Sequence, residues 1–240
     1  MKNNIKLIYI SVLWVMLGLS SCASLTGNSH LTEKEIATKK ANVLVTKATV
    51  ILEEMTLMPD KGIPTALLQA SEAIVIIPNM LKVGFGVGAN LGQGLAVIRQ
   101  ADRQWSYPVL IKMGGGSLGL QIGAQASDII LVFKNRKGIN SMVNGNFTLG
   151  ADVGIAAGPV GVTTEAGTDI KFESEIYSYS RSKGLFAGVS LKGQVLEVDN
   201  PGNLNLYGDV VSADDIFAGH LTTSSSAVEN LRNKLKEIAP

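Results

Sequence analysis

Two overlapping glycine patterns invite a chemical reading. Gly114-x-Gly116-x-x-Gly119 has the spacing of a dinucleotide-phosphate loop, and Gly115-Gly-Ser117-Leu-Gly119 that of a nucleophile elbow. Both chemistries need a strand, a tight turn and a helix start, so that backbone amides or a serine Oγ stand exposed at the turn. The residues that follow do not have helical spacing. Leu118, Leu120, Ile122, Ala124 and Ala126 alternate with Gly119, Gln121, Gly123, Gln125 and Ser127, the period-two pattern of a strand with one apolar face. The stretch Lys134-Asn-Arg-Lys-Gly138 stands where a ribose-binding acid would be needed. A hydrolase built on Ser117 would have to recruit His220, the histidine outside the N-terminal tether, and is kept as a remote alternative. Two distant histidines and one cysteine do not build a common zinc cage, and Asp199 to Val210 lacks the closing glutamate of a calcium loop. No metal or cofactor is expected, and the protein is expected not to be an enzyme.

The single cysteine carries a sharper signal. Lys2 and Lys6 precede an apolar run from Leu7 to Leu19, and Leu19-Ser20-Ser21-Cys22 follows. This run resembles a bacterial lipobox, in which the cysteine thiol is diacylated and the chain is cut before it. The expected organisation is a lipoprotein signal peptide over 1–21, a lipidated tether over 22–35 and one domain over 36–240. The tether is rich in small polar residues, and with one cysteine no disulfide can form within the chain. The chain has 21 basic and 20 acidic residues. Loss of Lys2 and Lys6 with the signal leaves a slight excess of acid, so nucleic acid is not an expected partner. Membrane attachment would come from the acyl anchor on Cys22. Ala23 after the cysteine favours the outer membrane, facing the periplasm, in a Gram-negative source.

The elements that must position any site follow from periodicity. Ala37, Ala41, Leu44, Ala48, Ile51, Leu52 and Met55 predict an amphipathic helix ending before Pro59, packed on a sheet rather than lying on a membrane. A second helix begins at Ile63-Pro64, and Ala73 to Ile77 reads as a strand stopped by Pro78. Glycine-faced strands follow at 83–92, 118–127 and 149–158, with Leu95 to Arg99, Trp105 to Met113 and Asp128 to Phe133 as further apolar runs. Asn200-Pro201-Gly202-Asn203 reads as a turn, Asp214 and Asp215 as a helix start, and Ser226 to Glu229 as a capping box opening a C-terminal helix. The fold class is α+β: a curved or barrel-like antiparallel glycine-rich sheet flanked by N-terminal and C-terminal helices.

Three stretches together carry a resemblance. They are Gly114-Gly-Gly-Ser-Leu-Gly-Leu-Gln-Ile-Gly123; Thr148-Leu-Gly150 with Ala157-Gly-Pro-Val-Gly161; and Ile176-Tyr-Ser-Tyr-Ser-Arg-Ser-Lys-Gly-Leu-Phe-Ala-Gly-Val-Ser-Leu191. In that order they resemble the SYLF-domain family, over roughly Ala37 to Gly208. The resemblance implies a non-enzymatic lipid-binding domain. Eukaryotic members bind phosphoinositide-containing membranes and are linked to actin and endocytosis, and many bacterial members are exported lipoproteins. This sequence shows no SH3 or zinc-binding module, so actin roles are not carried over. The expected function is that of a lipid-anchored envelope protein whose domain binds phospholipid, with anionic headgroups preferred. Lys82, Arg181 and Lys183, each beside a family-like motif at a strand end or turn, are the candidate headgroup contacts. Lys39, Lys40 and Lys47 on the first helix are weaker candidates. The alternative is an interaction module, held by Cys22, that presents a sheet edge or the C-terminal helix to another envelope protein.

Overall fold

Straight-chain and alanine-rich sequence with a carboxylate-rich first turn, Glu33 and Glu35, forms helix α1 over Glu33–Thr56. Its buried face is Ala41, Val45, Ala48, Ile51, Leu52 and Met55, which packs on the sheet; Val45 takes the core position expected of Leu44, and Ala37 and Leu44 are only partly buried. The helix starts inside the segment assigned to the tether. The computed structural model describes residues 31–58, 62–145, 147–159, 173–182, 185–186, 191–221 and 223–240. Within it Glu33–Pro240 make one compact unit.

After α1 come α2 (Thr65–Gln69), β1 (Ala73–Ile98), β2 (Val109–Phe133), α3 (Lys137–Val143), β3 (Phe147–Thr148), β4 (Ile155–Ala157), β5 (Ile176–Ser182), β6 (Leu185–Phe186) and β7 (Val195–Val198). Helices α4 (Asn200–Tyr207), α5 (Ala213–Ala218) and α6 (Ser226–Ile238) complete the chain. The fold is α+β, with one curled half-barrel sheet and helices from both ends of the chain. The strand order is β3-β7-β2-β5-β4, with β1 paired along β2 and β6 paired to β5.

The sheet is organised by one long hairpin. β1 and β2 pair antiparallel from Ala73 opposite Phe133 to Ala96 opposite Val109. The free edge of β2 then takes β7 at Ile111–Gly114 and β5 at Asp128–Phe133. The hairpin doubles back, so that the two arms of β1 lie side by side: the Arg99 amide donates to the Glu72 carbonyl at 2.9 Å. Gly94 makes this approach possible, since a Cβ there would run into the Ile76 carbonyl oxygen and the Ile77 side chain. Counting each arm of β1 and β2 separately, eight lanes lie abreast, with β4 and β6 sharing the lane beside β5. The expectation that Pro78 ends the strand is corrected. The ladder passes through a bulge between Ile77 and Met80, where Asn79 takes φ 50°, and the chain continues.

The bulge has a consequence for the core. Before it, Ile74 and Ile76 face the layer formed by α1, α4 and α6, while Ala73, Val75 and Ile77 face the other. After it the parity reverses, and Leu95 and Val97 join the first layer while Ala96 and Ile98 join the second. The second cluster fills the concave side with Ile111, Met113, Phe133, Phe147, Leu196, Ile216 and Phe217. At one end of the first layer the Trp105 indole donates to the Ala239 carbonyl at 3.0 Å, and the buried Arg99 guanidinium lies 4.2 Å above the Trp105 ring. Burial, with Arg103 adding to it, lowers the Arg99 pKa to about 10.

Three further expectations are corrected. Residues 149–158 are not one strand: Gly150, at φ +79°, opens a turn through Asp152, whose carboxylate accepts from the Thr148 amide, and pairing resumes only at Ile155. Asn200 to Asn203 is the first turn of α4, because Asp199 caps it by accepting from the Gly202 amide and Pro201 suits the first helical positions. Asn203, inside that helix, uses its side-chain oxygen to accept from the Leu110 amide at 2.8 Å. The cap of α6 is Ser225, one residue before the expected Ser226. Strand β7 had no counterpart in the sequence reading. Asp214 and Asp215 do lie in the first turn of a helix, capped by Ser212.

Candidate functional site

Between the two packed ends of the hairpin runs a stretch of ribbon rich in glycine and alanine. Gly84 opposes Gly123, Gly88 opposes Ser117, Ala89 opposes Gly116 and Asn90 opposes Gly115. Among the described residues, none from Leu81 to Gly94 or from Gly114 to Asp128 belongs to either core cluster. The alternation of β1 puts Leu81, Val83, Ala89 and Leu91 on one face, the side on which α1 lies, with Ala124 and Ala126 on the same face of β2. Leu81 is 41% and Leu91 58% exposed, and both alanines are exposed. This is an open apolar surface on a backbone with few side chains to cover it.

The root of the ribbon is fixed by Asp128. One of its carboxylate oxygens accepts from the Asn79 amide in the β1 bulge at 3.0 Å, and the other accepts from Arg181 Nη2 at 2.9 Å. The same Arg181 nitrogen lies 2.7 Å from Glu54 Oε2 of α1. Burial opposes the charge on Arg181, but the hydrogen bonds to Asp128 and Glu54 outweigh it and raise its pKa above the ordinary value. Arg181 therefore ties helix, bulge and β5 together, with its charge already matched by two carboxylates.

The structure separates the sequence candidates. Lys82 pairs across the ladder with Gln125, whose side-chain nitrogen donates to Ser182 Oγ at 3.1 Å. Ser182 follows Arg181 in β5, so Lys82 and Arg181 stand on opposite faces of the sheet. Lys82 is partly exposed and makes no ion pair among the described residues. Lys183 and Cys22 lie outside the described residues. Lys39, Lys40 and Lys47 are exposed on α1. Ser117 stands within β2, paired with Gly88, so strand and not a strand–turn–helix elbow surrounds it. His220 is an exposed side chain 3.7 Å from Asp215.

Gln194 escaped the sequence reading. Its buried side chain lies against Gly115, in the space a Cβ would take, and donates to the Gly116 carbonyl at 3.1 Å. The run of three glycines is thus a seat for a neighbouring amide. A buried glutamine in a short polar loop carries no periodic signal by which to find it.

Comparison with known proteins bears on these motifs. The Ysc84 family profile, described as Las17-binding protein actin regulator, matches residues 114–238. The chain belongs to this family, whose shared unit is the SYLF domain. An SH3 domain-containing protein of Schizosaccharomyces pombe is 34% identical over 192 residues, 79% of this chain and 44% of its own length. SH3 domain-containing YSC84-like protein 1 of Homo sapiens is 34% identical over 179 residues, 72% of this chain and 52% of that protein. Protein YSC84 of Saccharomyces cerevisiae is 33% identical over 176 residues, 72% and 37% respectively. The chain spans about half the length of the curated relatives it matches. β2 from Gly114 onward, the β5 motif and helices α4 to α6 fall within the family's matched span.

Proposed function

We propose that this SYLF domain makes a peripheral contact with phospholipid through the open face of its glycine-rich ribbon, with no chemical turnover. The observation that carries the reading is the pair Leu81 and Leu91, exposed on one face of a ribbon that lies outside both core clusters. Two leucines on a thin, small-residue ribbon can enter the interfacial region of a bilayer without a large volume to accommodate, each contributing about 1.5–3 kcal/mol if fully buried. Lys82, next to Leu81 but on the opposite face of the ribbon and with no ion pair among the described residues, has a long stem that can carry its ammonium past the thin ribbon edge to a phosphate, which favours anionic headgroups. Attachment is completed by acyl chains on Cys22, which place the domain at the outer membrane facing the periplasm in a Gram-negative cell.

The test is co-sedimentation of the purified protein, with Cys22→Ser to remove any acyl chain, on phosphatidylglycerol and phosphatidylcholine vesicles. Saturable binding that prefers the anionic vesicles and falls at least about tenfold in Leu81→Asp/Leu91→Asp supports the reading. Binding that is absent, or that ignores these substitutions, rejects it.

A second reading rests on the family description, which names a protein ligand. In it the domain is an interaction module held at the membrane by Cys22, and the same ribbon face receives a protein. Loss of a specific partner in Leu91→Asp, from a protein with no vesicle affinity, would favour this reading over the first.

A further inference from the structure

Helix α1 carries a second apolar pattern on its outward side, away from the face buried on the sheet. Ile36, Val43, Val50 and Leu57 are 40%, 42%, 46% and 65% exposed and recur every seven residues. The Leu57 amide still donates to the Glu53 carbonyl, so all four share one continuous helical ladder. Seven residues are nearly two turns, and the four side chains form a seam about 32 Å long. The seam has an internal symmetry. Turned end for end about a point between Thr46 and Lys47, it brings Ile36 opposite Leu57, Val43 opposite Val50 and Lys39 opposite Glu54.

We infer that α1 is a self-complementary surface on which a second copy of this chain docks with its own α1 antiparallel, forming a two-fold dimer. The inference is independent of the ribbon's proposed contact with lipid. The placement of opposite charges along the seam points to a second copy. Glu54 flanks the seam near its C-terminal end, between the levels of Val50 and Leu57, and is half exposed. A carboxylate beside the last two apolar side chains is repelled by an anionic bilayer and resists entry into any acyl layer. In the antiparallel pair it meets Lys39 of the other copy twice, once at each end of the two-fold arrangement. Arg181 binds one oxygen of the Glu54 carboxylate from the sheet side, and the half-exposed side chain stands beside the seam. One charge works against the pairing: Lys47 lies beside the axis, so two copies of it approach each other there.

The test is sedimentation equilibrium of the purified Cys22→Ser protein over a wide concentration range, with thermal unfolding as a check on folding. A reversible monomer–dimer equilibrium is expected. Val43→Glu should weaken it at least about tenfold. Lys39→Glu should weaken it severalfold, and Lys39→Glu with Glu54→Lys should restore it. Lys47→Ala, which leaves Arg181 and its partners untouched, should tighten the dimer severalfold and keeps the idea testable if the Glu54 variant unfolds. A monomer at every concentration overturns the inference. So does a dimer indifferent to both Val43→Glu and Lys47→Ala, or a loss of vesicle binding in Val43→Glu with no change in mass.

Discussion

The Arg99 amide donates to the carbonyl of Glu72 at 2.9 Å, joining the end of β1 to the residue before its beginning. A strand that is its own neighbour has no room for side chains where its arms meet most closely, and Gly94 is at that place. Gly94→Ala should therefore lower stability by about 3 kcal/mol, because the added Cβ meets the Ile76 carbonyl oxygen, main chain that cannot turn away, as well as the Ile77 side chain. Gly116→Ala, with nothing within 4 Å of the added carbon, should be close to neutral. Urea unfolding of the two variants checks the contrast.

Arg181 and Lys82 were candidates for the same task, and the sheet assigns them different surroundings. Arg181→Ala strips Asp128 and Glu54 of their common partner and should destabilise the fold by about 3 kcal/mol, a result read from a denaturation midpoint. Lys82→Ala should leave that midpoint within about 0.5 kcal/mol while weakening sedimentation on anionic vesicles. Equal stability losses in the two variants would contradict this division.

The Tyr207 hydroxyl donates to the Pro108 carbonyl at 2.6 Å, and burial, with Tyr107 adding to it, raises the Tyr207 pKa well above the ordinary tyrosine range. Burial likewise raises that of Tyr179. A group whose folded pKa is raised contributes stability that is fully present below its unfolded pKa and is lost as pH rises towards the folded one. The melting temperature should therefore begin to fall above pH of about 10, where unfolded tyrosine ionises. Tyr207→Phe should flatten that fall, at a loss of about 1 kcal/mol near neutral pH. Melting curves across the alkaline range measure both effects.

If Cys22 is the acylated residue, growth with labelled palmitate should label the wild-type protein, and Cys22→Ser should abolish the label and release the protein from the membrane fraction. Label retained in the variant would remove the lipoprotein reading.

Much of the fold is legible in local pattern. The core face of α1, the glycine alternation of the ribbon and the apolar runs at its two ends are set by periods of 3.6 and 2, and they appear where the periods put them. Long-range relationships leave no such trace. Pro78 reads as a stop because a central ladder does not accept proline, yet Asp128, fifty residues on, holds the Asn79 amide and makes the bulge a through-route. Asn200-Pro-Gly-Asn has turn composition, and the capping carboxylate of Asp199 converts it into a helix start. Of the candidate site, the glycine motif was readable; Lys82, expected at a strand end or turn, lies inside β1, which passes Pro78 and runs on to Ile98. The partners of Arg181 were not, since Glu54 and Asp128 approach it from two other elements. Lys183 and Cys22 fall outside the described residues.

The doubled-back hairpin also bears on how the chain reaches its shape. Residues 73–133 form one uninterrupted segment that supplies the four innermost lanes of the sheet, so its pairing can propagate from a single closure without waiting for the termini. Native-state hydrogen exchange should then show the buried amides of β1 and β2 opening as one cooperative unit, the last to lose protection, with β3 and β4 at the margins exchanging earlier.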